Sequence, residues 1–417
     1  MARVELLVPA GNREKLEVAI AYGADAVYFG GSRFSLRQRA GNFSPAELPA
    51  AIAYCRRQRV KAYLTVNSLP FDRDLPAFSD YLARLRETPP DALIIGDPGV
   101  LLLCRRLLPD VPLHLSTQAN TLNALAAAFW RANGVSRVNL ARELPLAGIR
   151  AVVAGNPGLE CEVFVHGAMC MAYSGRCLLS AYLTGRHANQ GDCAQPCRWP
   201  FSLHEEKRPG AYFPVEEDGA GVHIFNARDL CLLARLPELQ AAGVSSVKIE
   251  GRMKSAYYVA VVTRVYRQAL DWLAEHENQP FPEDRRHNWE NELTRVSHRR
   301  YTEGFFEGTP ATGLQHLPDS AYRRSYRFCA LVVADENSKR DPDWATLNIK
   351  DGVRPGEELE VIGPRMEDKP VRVLALQDEQ GRELAVAHPG TTVRALCSCR
   401  LQPRCILRRA GASEDEV

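Results

Sequence analysis

Over its first 250 residues the chain alternates eight times between a short apolar run and an amphipathic stretch, and few folds accommodate that pattern. The apolar runs lie at 4–10 (VELLVPA), 26–30 (AVYFG), 61–67 (KAYLTVN), 92–97 (ALIIGD), 113–117 (LHLST), 137–141 (RVNLA), 161–167 (CEVFVHG) and 246–251 (SVKIEG). Between them lie helical patterns such as NREKLEVAIAYG and SPAELPAAIAYCRRQ, with Asn12 and Ser44 as N-caps and Gly23 as a stop. Strand–helix alternation sets parallel strands side by side under a layer of helices. Eight such units predict an α/β chain with a parallel (β/α)8 barrel of TIM type. An open doubly wound sheet is the alternative, because periodicity does not show closure.

The period breaks once. About 78 residues separate the seventh and eighth runs, against roughly 20 to 35 elsewhere. Four cysteines open that insertion, Cys170, Cys177, Cys193 and Cys197, spaced C-x6-C-x15-C-x3-C. Directly after strand seven they fall on the C-terminal face of a barrel, where βα-loops build active sites. The N-terminus runs straight into a strand and no stretch is apolar enough to span a bilayer, which predicts a cytoplasmic protein with no membrane partner. Cysteines there are reduced, and metal or redox chemistry explains a cluster of them better than disulfides do. Structural zinc usually sits between tight C-x2-C knuckles. The looser spacing here fits an iron–sulfur cluster at least as well; zinc and reduced structural thiols stay open. Cys231 lies close behind as an alternative ligand. Cys55, Cys104, Cys161 and Cys329 sit in apolar runs and read as small buried hydrophobes. Cys397, Cys399 and Cys405 read as a separate structural group.

A helix at about 228–242, capped by Asn226, leads into strand eight, and a helix at 254–276 closes the barrel. These readings divide the chain into a barrel over 1–281, with its insertion at about 168–245, and a polar connector over 282–324. Short alternating strands then predict a small antiparallel β-barrel at 325–405, followed by an acidic tail at 406–417. Hydrophobic residues make up 46% and charged residues 24%, enough for a sizeable core, and the formal charge of +2 gives no overall footprint for nucleic acid. There is no Walker loop, no G-x-G-x-x-G fingerprint, no H-E-x-x-H helix and no G-x-S-x-G elbow.

On a barrel, polar residues at strand C-termini face the mouth. They are Asn67, Asp97, Ser116, Gln118, Asn120, Arg142, Glu143, His166, Lys248, Glu250, Arg252 and, just beyond, Lys254. Together they suit a small, oxygen-rich polyanion, since arginine holds carboxylates through paired hydrogen bonds. Position singles out Asn67, Gln118, Arg142, Arg252 and Lys254 for substrate binding, and His166 and Glu250 for acid–base work. Tyr173, Tyr182, Tyr257 and Tyr258 lie near the same mouth, as packing or as stacking surfaces for a planar ring.

The stretches ELLVPAG, YGADAVYFG, LSTQAN, EVFVHGAMCMAYSGRCLLSAYLTGR, NQGDCAQPCRW, SVKIEGRMKS and YTEGFF resemble the collagenase-like peptidase family U-thirty-two over residues 4–310. Despite that name, the resemblance implies an oxygen-independent, prephenate-dependent hydroxylase carrying a cysteine-bound 4Fe–4S cluster on a barrel. By motifs and length the chain is most similar to the branch of tRNA 5-hydroxyuridine synthases, which act on the wobble uridine of the anticodon loop. Other branches act on ribosomal RNA cytidine or a quinone precursor. The quinone branch lacks a cysteine matching Cys197. The resemblance therefore implies Cys170, Cys177, Cys193 and Cys197 as cluster ligands, prephenate as co-substrate and tRNA as partner, with any electron donor undefined. Two other classes compete with this reading. A peptidase would need a nucleophile–base pair, Ser174 or Ser180 with His166. A non-enzymatic RNA-binding factor would carry a purely structural cluster.

Overall fold

The computed structural model describes all residues except 1–2, 38–39, 171, 200–216, 219–220, 223–227, 278, 309–322, 335–342, 365, 367 and 412–417. The predicted cap Asn226 and the ASEDEV terminus lie outside the described residues. Seven parallel strands run in order, β1 (Glu5–Pro9), β2 (Ala26–Gly30), β3 (Lys61–Val66), β4 (Ala92–Ile95), β5 (Leu113–Leu115), β6 (Val135–Asn139) and β7 (Glu160–Ala168). The strand Ser246–Ile249 pairs with both β1 and β7 and closes the barrel. Closure excludes the open sheet.

The caps follow from the sequence. Asn12 accepts the Lys15 N–H at 3.0 Å, and Ser44 and Glu47 bond reciprocally as a capping box. Asp97 proves to be a cap as well, accepting the Val100 N–H at 3.0 Å at the start of the helix Pro98–Leu107. The outer face of the sheet packs under the helices in one large core, while Leu7, Ala26, Tyr28, Tyr63, Ala92 and Ile94 fill the lumen beside β1–β4. The other half of the lumen is charged. Arg137 reaches Glu5 at 2.5 Å and Glu162 at 3.4 Å, and Lys248 reaches Glu162 at 2.8 Å, with Arg137, Glu162 and Lys248 nearly solvent-free. Buried charges are tolerable when each is matched, and here they form one chain across the lumen.

Two sequence readings need correction. Residues 228–242 are not one helix: Asp229–Cys231 is a strand antiparallel to β7, and the helix spans only Leu236–Ala241. Asp229 is locked by Arg299 at 2.7 Å, and Pro237 suits the first turn of a helix that starts late. The second barrel also does not end at 405. Its six antiparallel strands are Tyr326–Val332, Trp344–Ile349, Glu358–Ile362, Lys369–Gln377, Thr392–Cys397 and Ile406–Ala410. The last strand closes it by pairing with both the first and the third. Cys329, Cys397 and Cys405 are buried in this barrel's core.

The two barrels meet across a buried ionic layer. Arg408, fully enclosed, bonds Glu292 at 2.6 Å, Glu360 at 2.9 Å and Asp368 at 3.0 Å. Arg264, on the long helix Ala256–Glu275, reaches the same Glu292 and Asp368. Tyr257 of that helix stacks on Phe328, and Tyr22 donates to the Arg404 carbonyl at 3.1 Å.

Candidate active site

The strand ends and the cysteine insertion enclose one cavity of about 180 Å³ at the C-terminal face of the first barrel. All four insertion cysteines line it, together with Asn67, Gln118, Arg142, Lys248, Glu250 and Arg252. Cys170 is exposed and the other three are half-buried. The Gln195 N–H donates to Cys193 Sγ at 3.3 Å. Among the described residues, no three or more His, Cys, Asp or Glu side chains are arranged to hold a single metal ion. Cys231 does not line the cavity; its thiol lies 3.9 Å from the Tyr266 hydroxyl, and burial pushes it up to about 11.

Arg252 is 3% exposed. Its Nη1 donates to Ser35 Oγ and the Leu36 carbonyl, both at 2.8 Å, and its Nη2 to Asn42 Oδ1. No carboxylate forms an ion pair with it among the described residues. Burial above all, with the Arg37 charge nearby, pulls its guanidinium down to about 10, although Tyr28 and Glu250 oppose the shift. Gly30 makes the space: a Cβ there would lie 2.3 Å from Ser35 Oγ and 2.5 Å from Arg252 Nη2.

Arg142 plays a different part. Its Nη1 donates to the Ala168 carbonyl and its Nη2 to Ser174 Oγ, each at 2.6 Å, so it clamps the loop on either side of Cys170. Asn120 adds a bond to the Ser174 carbonyl at 2.8 Å. Asn67 joins two loops, accepting from the Leu36 N–H and donating to Ser116 Oγ. Gln118 accepts from Ser116 Oγ at 3.1 Å and leaves its Nε2 buried without a partner.

Two predicted site residues lie elsewhere. His166 would face the lumen if β7 kept strict alternation after Glu162 and Phe164. Its register against the closing strand slips instead, Lys248 pairing with Phe164 and Ile249 with His166. That bulge puts His166 on the outer side with Ile249. There it is 1% exposed among Tyr258, Tyr266 and Tyr301, with Nδ1 3.3 Å from the Tyr266 hydroxyl. Burial holds its imidazole neutral, down to about 3. Gly167 permits the bend, with φ of +108° and a Cβ position 2.5 Å from the Glu250 carbonyl. Lys254 also turns outward, donating to the Ser297 carbonyl at 3.0 Å. The serine–histidine pairs of a peptidase are not formed: Ser174 Oγ is taken by Arg142 and Ser180 Oγ by the Ala194 N–H.

One cation escaped the sequence reading. Arg37, seven residues past the end of β2, lines the cavity and lies 3.6 Å from Glu250. Burial opposes its charge, but Glu250, Cys170 and Cys193 outweigh that and push it up. The signal was the unusually long, arginine-rich loop RFSLRQRAGNFS, longer than most βα connections.

The Peptidase family U32 profile matches residues 11–316, and its C-terminal domain profile matches residues 324–408. The chain belongs to peptidase family U32. It is 37% identical to tRNA hydroxylation protein P1 of Bacillus subtilis (strain 168), covering 97% of this chain and 94% of that one. It is 36% identical to tRNA hydroxylation protein P of Escherichia coli (strain K12), covering 88% and 87%. A solved U32 peptidase superposes with a TM-score of 0.40 at 12% identity over 60% of this chain and 95% of that one.

Proposed function

We propose that this U32 protein is a tRNA-modifying hydroxylase that converts wobble uridine to 5-hydroxyuridine, drawing the hydroxyl oxygen from prephenate and using a 4Fe–4S cluster. Full-length similarity to two tRNA hydroxylation proteins supports the coarser part, hydroxylation of tRNA. The finer part rests on one observation: four thiols and a buried guanidinium that makes no ion pair among the described residues line the same cavity.

The donor set fits a cluster. Four sulfurs and no imidazole or carboxylate ligand is the set that iron–sulfur centres use. Four-cysteine zinc sites use the same donors, and iron and sulfide analysis of the isolated protein separates the two. Cys170, Cys177, Cys193 and Cys197 would hold the cluster, the Gln195 N–H and Arg37 would favour the thiolates, and Arg142 would fix the loop. Bound there, the cluster would supply one-electron chemistry beside the substrate.

The chain's own groups divide the remaining work. Arg252 and Arg37 offer positive charge to the carboxylates of prephenate, and Lys248 sets the floor, 4.5 Å above the Tyr28 ring. Glu250, held toward the cavity beside Arg37, is the group placed to accept or return a proton. The unpartnered Gln118 Nε2 is available to a carbonyl of the bound base.

The test is an anoxic reaction of iron-loaded protein with unmodified tRNA and oxygen-labelled prephenate. Label in the 5-hydroxyuridine product, absent with Cys177→Ala or Cys193→Ala, is expected. Equal product without prephenate would overturn the reading.

A further inference from the structure

The cavity is too small for a duplex, so a base that reacts there has to leave its stack and enter alone. Each neighbour on the strand loses a stacking partner, and single-stranded RNA is held chiefly by aromatic rings and cations that receive such exposed base faces. The rim carries this combination. Phe71, Tyr173, Leu178, Tyr182, Leu183 and Trp199 are all among the exposed large hydrophobic residues, with Tyr182 reaching 87% and Leu178 71%. Among the described residues, six of the eleven exposed large hydrophobic side chains fall on the Phe71 loop and the cysteine insertion, and such a concentration marks a binding surface.

Guanidinium groups accompany these rings in the sequence. The segment 168–199 holds Arg176, Arg186 and Arg198 against Asp192, which Arg186 pairs at 2.7 Å, and the Phe71 loop holds Arg73 between Asp72 and Asp74. Arg73 lies over the Phe71 ring at 5.1 Å, and His187 meets the same ring edge-to-face at 6.4 Å. The Leu69 N–H donates to the Asn189 carbonyl at 3.1 Å, which ties the Phe71 loop to the cysteine insertion. Tyr173 itself lines the cavity. By contrast Tyr257 and Tyr258, the other tyrosines near the mouth, are buried packing.

We propose that this aromatic and arginine rim is the docking surface for single-stranded RNA, with Phe71 and Tyr182 stacking nucleotides that flank the base in the cavity. The inference rests on the tRNA-hydroxylase reading and adds how a nearly neutral protein holds its RNA. The affinity is local, supplied by stacking and a few guanidinium groups rather than by net charge.

The experiment is fluorescence anisotropy with a labelled, unmodified anticodon stem-loop, using intact protein, Phe71→Ala, Tyr182→Ala and Tyr182→Phe. Iron content, thermal midpoint and 5-hydroxyuridine formation are measured on the same samples. Each alanine variant should bind roughly tenfold more weakly, at unchanged iron content and midpoint, and Tyr182→Phe should bind like the intact protein. Unchanged affinity in both alanine variants overturns the proposal. So does loss of hydroxylation at unchanged RNA affinity, which would assign the rim to a protein partner. If the alanine variants lose affinity while the intact protein forms no 5-hydroxyuridine, the rim stands and the activity reading falls.

Discussion

At the scale of single residues, Arg252 is a charge held in place with no anion of its own. Its neighbours are hydroxyls, an amide and a carbonyl, which orient the guanidinium without neutralising it. Arg252→Ala should raise the KM for prephenate by about 10- to 100-fold with a smaller change in kcat, as expected for one lost charged hydrogen-bonding group. Gly30→Ala should move KM in the same direction with the arginine itself retained, because its Cβ would occupy the guanidinium's space. Steady-state kinetics at varied prephenate checks both, and an unchanged KM in both would remove Arg252 from substrate binding. His166 makes the opposite case. Its folded value near 3 lies below the ordinary 6.5, so the unfolded chain binds the proton first as pH falls. Stability is therefore full above about pH 6.5 and declines toward pH 3, with this group contributing up to about 1.4 kcal/mol per unit. Urea unfolding between pH 7 and pH 5 should show a shallower decline in His166→Gln. Alternation along β7 misplaces His166, because a bulge arises from the neighbouring strand's register. Only Gly167 hinted at it.

At the scale of elements, the cysteine loop was the most legible feature of the chain. Its position after strand seven followed from counting, and all four cysteines line the cavity. What spacing does not reveal is the clamp that holds the loop. Arg142 reads as an anion receptor from its strand-end position, yet both of its terminal nitrogens are committed to Ala168 and Ser174. Arg142→Ala should therefore lower iron per chain after anaerobic reconstitution, about twofold or more by the loss of two charge-assisted hydrogen bonds, while leaving the barrel's far-UV circular dichroism intact. Full iron loading would return Arg142 to a substrate role. Gly167→Ala addresses the end of β7. A side chain at positive φ, 2.5 Å from a backbone oxygen, should cost about 2 kcal/mol or more, read as a lower urea midpoint at unchanged slope.

At the scale of the whole molecule, the two barrels are coupled by charges that only the folded chain brings together. ILRRA near the end of the sequence looks like the start of a tail. Its Arg408 instead sits fully enclosed between acids from three segments, more than a hundred residues from Glu292. Sequence pattern carries no signal for such distant partners. Removing one partner of a buried ion network exposes the full desolvation cost of the other. Glu292→Ala should therefore destabilise the interface by about 3 kcal/mol and split thermal unfolding into two transitions, checked by calorimetry. A single transition at an unchanged midpoint would show that the barrels do not depend on this layer.

The central claim concerns what the cavity makes. It is tested most directly by nucleoside mass spectrometry of tRNA from a host stripped of its own 5-hydroxyuridine pathways, supplied with the intact chain or with Cys170→Ala. Restoration of 5-hydroxyuridine or its derivatives by the intact chain alone is the expected result. If neither restores it while both proteins are soluble and the intact one holds iron, tRNA is not the substrate.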